Sequence, residues 1–196
     1  MASNSKPSAP YAQQITVSIL PDGRTLTFSD GFTYAFDNVE LLNEARRVFF
    51  LPRGANAAEY PEFNRHLAGV GDAMMKGICK SQWYKNKDNG RAWDDRFQYG
   101  IAMNSFLNHM AEVTGVEDFI MLKDGEPGRW CQVGLAKKDG ADTIEAIIGA
   151  VWEDCSDVVT TKEVMMRLGV HYPERGEDAN KMDDWLDVKR KLKIIG

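Results

Sequence analysis

The sequence predicts an all-α fold: a helical bundle preceded by a short β-hairpin extension. Three observations carry this expectation. From residue 38 onward, apolar residues recur at helical spacing in one segment after another. Capping residues, prolines and glycines stand at the ends of those segments. Residues 15–31 instead alternate with the period of a strand on either side of a turn. The chain has 196 residues, 43% of them hydrophobic and 27% charged, an ordinary globular composition with enough length for a real core. It is expected to divide into a disordered arm at 1–14, the hairpin extension at 15–35, a helical domain at 36–170, and a C-terminal amphipathic helix and tail at 171–196.

Each element has its own signal. In "ITVSILPDGRTLTFSDG" two β-prone runs flank Pro21-Asp22-Gly23, where turn chemistry places Pro and Gly. "DNVELLNEARRVFF" reads as a helix: Val39, Leu42, Ala45 and Phe49 share one face, Asp37 or Asn38 caps it, and Pro52 and Gly54 end it. After the loop "RGANAAEYPEF", a second helix begins near Pro61 and runs to about Tyr84. A third is expected from Asp94 to Thr114, burying Phe97, Ile101, Phe106 and Met110, with Gly115 at its C-terminal end. "FIMLKDGEPGRWCQV" is either a second small hairpin around Asp124-Gly125 or an ordered loop. "GADTIEAIIGAVWEDC" is strongly helical, with Ala146, Gly149 and Ala150 small enough for close helix approach. "TTKEVMMRLGV" continues with Thr160 or Thr161 as cap and Gly169 as terminator, and "KMDDWLDVKRKLKII" forms a last amphipathic helix.

Composition narrows the function. No apolar run approaches the roughly 18 residues that span a bilayer, and "MASNSKPSAPYAQQ" has neither the basic start nor the apolar stretch of a signal peptide. Cys79, Cys131 and Cys155 are odd in number and match no zinc spacing, so a reducing intracellular compartment, cytoplasm or nucleus, is expected. The three histidines, His66, His109 and His171, accompany no serine or cysteine nucleophile motif. The net charge of −5 is not that of a protein gripping nucleic acid by bulk electrostatics. A polyanion site must therefore be local, either a basic patch or metal ions held by carboxylates.

The candidate carboxylates are Asp72, in "GVGDAMMKGICKSQWY", and the pair Asp142 and Glu145. The pair stands three apart on one helix face beside small apolar residues. On a different helix from Asp72, it composes an oxygen site suited to a hard divalent cation, which needs only two or three carboxylates and keeps several waters. The alternative is a first-turn acid or N-cap at Asp142 with Glu145 as its capping-box partner.

The stretches "NRHLAGVGDAMM" (Asn64–Met75) and "ADTIEAIIGAVWED" (Ala141–Asp154) resemble the two signatures of ribonuclease III domains. "FDNVELLNEA" resembles the opening helix of that family, so the resemblance spans roughly Phe36 to Gly169. It implies an all-α domain that forms a homodimer and cleaves double-stranded or structured RNA with magnesium, manganese serving as a substitute. It further implies that Asp72, Asp142 and Glu145 are the metal-holding catalytic acids. The chain departs from the usual signature at Arg65 and Ala68, where glutamates stand, and at Gly69, where an aromatic residue packs across the dimer. Alanine at the second of these positions is also a feature of the single-domain Mini-III branch, which retains the other three acids. Glu62 and Glu153-Asp154 are candidate replacement ligands.

Lys85, Lys87 and Arg91, after the Asp72 helix, and Lys189, Arg190 and Lys191, near the C-terminus, are the candidate RNA phosphate contacts. Only 36 residues follow Thr160, too few for an appended double-stranded-RNA-binding domain. Two other functions compete with the nuclease. One is a catalytically impaired protein of the same fold serving as an RNA-binding or scaffold component. The other is an all-α nucleotide pyrophosphohydrolase, whose denser Glu-x-x-Glu pattern this sequence lacks.

Overall fold

The N-terminal alternation folds as a three-stranded antiparallel meander: β1 (Val17–Ile19), β2 (Thr25–Phe28) and β3 (Thr33–Ala35), in that spatial order. The computed structural model describes residues 15–48, 64–121, 139–176, 179–180, 182–184 and 186–187. Asp22 builds the first turn: one carboxylate oxygen accepts from the Arg24 and Thr25 amides, the other from the Thr25 hydroxyl. Gly31, at φ +89°, makes the second turn, a conformation that favours glycine. The register pairs Val17 with Phe28 and Leu26 with Tyr34. A third strand of three residues is too short to register as alternation, which is why the sequence suggests only a hairpin.

Helix α1 (Val39–Arg46) starts where Asn38 accepts from the Glu40 amide, and it buries Leu42 and Ala45. It ends before Pro52, because Arg47 forms an isolated parallel bridge with Met121; Phe49, Pro52 and Gly54 lie outside the described residues, as do Pro61 and Glu62. Helix α2 spans Arg65–Asn86 and buries Leu67, Ala68, Gly71, Met75, Ile78 and Cys79.

The single helix expected over 94–114 is two. Helix α3 (Gly90–Trp93) runs into a π-helical stretch, Asp94–Ile101, and α4 (Asn104–Thr114) follows. The break is at Met103, which is extended, and Gly100 just before it packs directly on the Leu186 side chain. Periodicity survives the break, so Phe97, Ile101, Phe106 and Met110 are all buried. Gly115 ends α4 at φ +81°. A 3-10 turn, Val116–Phe119, leads to Met121, and the Asp124-Gly125 segment lies outside the described residues.

Helix α5 (Asp139–Cys155) is the central element, with Ile144, Ala146, Ile147, Ile148, Ala150 and Val151 fully buried against α1, α2 and α4. Helix α6 (Val158–Arg167) is capped by Asp157, whose carboxylate accepts from the Val159 and Thr160 amides. An aspartate at the turn outcompetes the threonines expected to cap it; Thr160 donates its hydroxyl to Asp157 instead. Gly169 terminates α6 at φ +73°. Helical residues 179–180, 182–184 and 186–187 bring Met182 and Leu186 into the core. The molecule is thus mostly helical, with the small sheet at its N-terminal side.

Two polar clamps fix the periphery. Asp154, near the end of α5, accepts from the Tyr34 hydroxyl at 2.7 Å, the Asp37 amide at 3.0 Å and the Asn38 amide at 2.8 Å, tying β3 and the start of α1 to α5. Arg96, on the π-helical stretch, donates to both oxygens of Asp183 and to Asp88, which also accepts from the Tyr172 hydroxyl. Among the described residues no helix is long and apolar enough to cross a membrane.

Candidate functional site

The candidate acids lie where α2 crosses α5, and glycine decides how close that crossing is. A Cβ placed on Gly71 would stand 1.9 Å from the main-chain oxygen of Glu145, and one on Gly149 would stand 2.1 Å from that of Leu67. The helices therefore touch backbone to backbone, with no side chain between them. Leu67 faces Gly149 and Gly71 faces Glu145, so α2 advances as α5 recedes: the two helices run in opposite senses.

That sense orders the acids. Asp72 follows Gly71 and turns about 100° round α2 toward solvent, where it is exposed. Glu145 brings its own carbonyl to Gly71, and its side chain is half-buried. Asp142 stands one turn before Glu145 on the same face, about 4.5 Å along the axis, level with the turn of α2 that follows Gly71. All three acids thus stem from backbone around one contact.

The N-terminus of α5 is fixed independently of them. The Ala141 amide donates to Asn108 on α4 at 2.8 Å, and the Thr143 hydroxyl donates to the Asp139 carbonyl at 2.7 Å. Asp142 lies in the first turn of the helix rather than at an N-cap, the first-turn position the sequence offered as an alternative. Asn108 has no local sequence signal; only the approach of α4 to α5 reveals its role.

Ala68 is buried, 6% exposed, one turn before Asp72. Of the candidate replacement ligands, Asp154 is committed elsewhere: its oxygens cap α1 and hold Tyr34, and it lies about 13 Å along α5 from Glu145. Glu153, beside it, lies about 12 Å along the helix from Glu145. Three carboxylates match the chemistry of a hard divalent cation. Among the described residues no three His, Cys, Asp or Glu side chains form a group that could hold a metal ion.

The basic candidates separate into two sets. Lys85 is exposed at the C-terminal end of α2, Lys87 in the turn beyond and Arg91 on α3, within 3.6 Å of Asp95. Lys189, Arg190 and Lys191 lie outside the described residues. Lys76 and Lys80, also exposed, follow Asp72 at intervals of four along α2. That i, i+4, i+8 spacing is readable in the sequence, yet it draws no notice beside the denser basic runs.

Cys79 is a core thiol, pushed up to about 12 by burial, which makes it unsuitable as a nucleophile at neutral pH. Cys131 lies outside the described residues.

No family model matches the chain, and no curated protein matches it. Its fold does match solved structures. The crystal structure of the nuclease domain of ribonuclease III from Campylobacter jejuni superposes with a TM-score of 0.52 at 20% identity, covering 69% of this chain and 86% of that one. A second structure of that domain, described for structural flexibility in its region of dimer formation, gives the same TM-score and identity and covers 88% of its own chain. The chain therefore has the fold of a ribonuclease III nuclease domain, with a small three-stranded sheet at its N-terminal side.

Proposed function

We propose that the protein is a ribonuclease III-type endoribonuclease that cleaves double-stranded or structured RNA as a homodimer, with magnesium, or manganese in its place, as cofactor. The observation that supports this most is the glycine-to-backbone contact between α2 and α5, with Asp72, Asp142 and Glu145 around it. Close crossing is what two helices need to present acids to one phosphodiester. The fold shared with ribonuclease III nuclease domains supports the same reading.

In this reading the chain supplies carboxylate oxygens from two helices, held by a core that does not deform easily. Magnesium, when bound, supplies the Lewis acidity that makes water a nucleophile and steadies charge at phosphorus. Lys85, Lys87 and Arg91 offer phosphate contacts, and A-form RNA is engaged through its backbone and 2′-hydroxyls rather than by sequence. With a net charge of −5, affinity is modest and falls steeply with salt. A reducing intracellular setting, cytoplasm or nucleus, belongs to the same proposal; the free thiols of Cys79 and Cys155 are consistent with it.

One observation favours a second reading. Ala68 puts a buried methyl where the ribonuclease III signature has an acid. A catalytically impaired RNA-binding or scaffold protein has no need of an acid there.

Incubation with a perfect RNA duplex in magnesium or manganese decides between them. Cleavage that disappears in both Asp72→Asn and Glu145→Gln, with folding intact, supports the nuclease. Duplex binding without cleavage in either metal supports the impaired protein. Turnover of nucleoside triphosphates without RNA cleavage would point to the pyrophosphohydrolase instead.

A further inference from the structure

We infer that the solvent face of α2 beyond Asp72 is a track for a single-stranded RNA extension, with Tyr84 as its base-stacking platform and Lys76, Lys80 and Lys87 as its phosphate contacts. The inference takes the identity of its ligand, RNA, from the reading above, but it does not depend on cleavage.

Charge is the first support. In a chain of net charge −5, α2 and its C-cap carry Arg65, Lys76, Lys80, Lys85 and Lys87 against a single acid, Asp72. At 100° per residue, Asp72, Lys76, Lys80 and Tyr84 fall within one third of the helix circumference, opposite the buried face, and Lys87 follows at the C-cap. Lys76, Lys80, Tyr84 and Lys87 are all exposed. The track leads away from Asp72 for about 22 Å.

Aromatic placement is the second. Tyr84 is 66% exposed, so its ring contributes little to the core, and the Lys87 ammonium rests 3.8 Å from its centroid. Lys80 is held differently: its ammonium lies 3.9 Å from the Trp83 ring and 4.0 Å from the Trp93 ring. Those indoles are themselves fixed. Trp83 donates to the Asn89 carbonyl, and Trp93 stacks on Phe97 and on Tyr172. Lys80 is thus a pre-positioned cation on a rigid base, which lowers the entropy lost on binding.

Backbone geometry is the third. Lys87 adopts the left-handed conformation, φ +56° and ψ +33°, at a helix end where glycine is the usual occupant. That turn sends its side chain back over Tyr84. Strain retained at a non-glycine residue is a reason to ask what the side chain does. An incoming base can take the Tyr84 ring face while Lys87 moves onto a phosphate. Both ring and cation then exchange one partner for another without remodelling the fold. A duplex buries its base faces and cannot use an exposed tyrosine in this way. A single-stranded extension can. An acidic peptide would satisfy the lysines but gain nothing from the ring.

The test measures binding in EDTA, so that cleavage plays no part. A blunt RNA duplex is compared with the same duplex carrying a short single-stranded extension, for the wild-type chain and three variants. The extended duplex is expected to bind on the order of tenfold more tightly, the worth of one base stacked on an aromatic ring. That advantage should vanish in Tyr84→Ala and persist in Tyr84→Phe. Lys87→Gly should weaken binding while leaving Tm unchanged or raised, since glycine relieves the left-handed turn; a purely structural lysine would show the reverse. Equal binding of both RNAs by the wild type, or failure to bind either, overturns the inference. So does an advantage that survives Tyr84→Ala, which would mark phosphate contacts without base stacking. A separate magnesium arm reports cleavage, so loss of the nuclease reading and loss of this one are told apart.

Discussion

Gly71 lies against the main-chain oxygen of Glu145 with no room for a methyl group: a Cβ there would stand 1.9 Å from that oxygen. The atom in the way is backbone and cannot rotate aside, so the helices must separate. Gly71→Ala should cost about 3 kcal/mol or more, at or beyond the upper end for overpacking. Gly77, on the same helix with nothing within 4 Å of an added Cβ, gives the control. Gly77→Ala should stabilise by about 0.5–1 kcal/mol through helix propensity alone. Urea unfolding of the two variants checks both signs.

Ala68 offers a gain-of-site experiment. Ala68→Glu puts a carboxyl where the side chain is 6% exposed, so without metal it should destabilise by about 2–3 kcal/mol at neutral pH. If the acids of α2 and α5 share an ion, millimolar manganese should raise the Tm of the variant by more than that of the wild type, because the ion binds only the folded state. Thermal unfolding in EDTA and in manganese reads this without any assay of activity. A variant whose Tm ignores manganese would count against a shared site.

The sheet should loosen as a unit when Asp154 is changed. Asp154→Ala strips acceptors from the Tyr34 hydroxyl and from two amides at the start of α1. A loss of about 1–3 kcal/mol is expected, with faster amide exchange confined to β3 and the first turn of α1. Tyr34→Phe removes one of the three bonds and should cost less, about 0.5–1.5 kcal/mol. Burial and the bond to Asp154 push the Tyr34 phenol well above its usual range, so in the wild type it should stay protonated after exposed tyrosines have titrated.

Acid should act on α6 through its cap. Hydrogen bonds from the Thr160 hydroxyl, then from the Thr160 and Val159 amides, hold the Asp157 carboxyl below its ordinary value of 3.8. A carboxyl lowered in the folded state contributes stability above its unfolded value, and that contribution is lost as pH falls through the lower, folded one. Stability should therefore decline below about pH 4, and Asp157→Asn should flatten that decline while leaving a cap in place. Chemical unfolding followed between pH 2 and 6 would show it; an unchanged acid limb in the variant would exclude Asp157 as a source.

Much of this molecule was legible in the chain itself. Helical periodicity marked Leu42, Ala45, Phe97, Ile101, Phe106, Met110 and the Ile144–Val151 run as core, because burial on one helix face is written at fixed spacing. The close approach at Gly149-Ala150 was legible for the same reason: small residues on an apolar face leave only backbone to pack. Turn glycines at 31, 115 and 169 sit where the sequence ends an element, since only they take a positive φ at little cost.

Other features needed the fold. The break at Met103 is invisible to local periodicity, which passes through it unchanged, and Gly100 beside it packs on Leu186, far along the chain. Asp154 resembled a spare ligand beside Glu145 until β3 and α1 were seen to use its oxygens. Helix spacing makes Asp142 and Glu145 neighbours, but it says nothing of Asp72, some seventy residues away. Only the crossing of α2 over α5, at Gly71 and Gly149, decided that these acids border one contact. Sequence encodes which face of a helix is buried, through a period each residue carries locally. Which helix covers that face, at what distance and in what direction, is set by contacts between distant segments, and those exist only once the chain has packed.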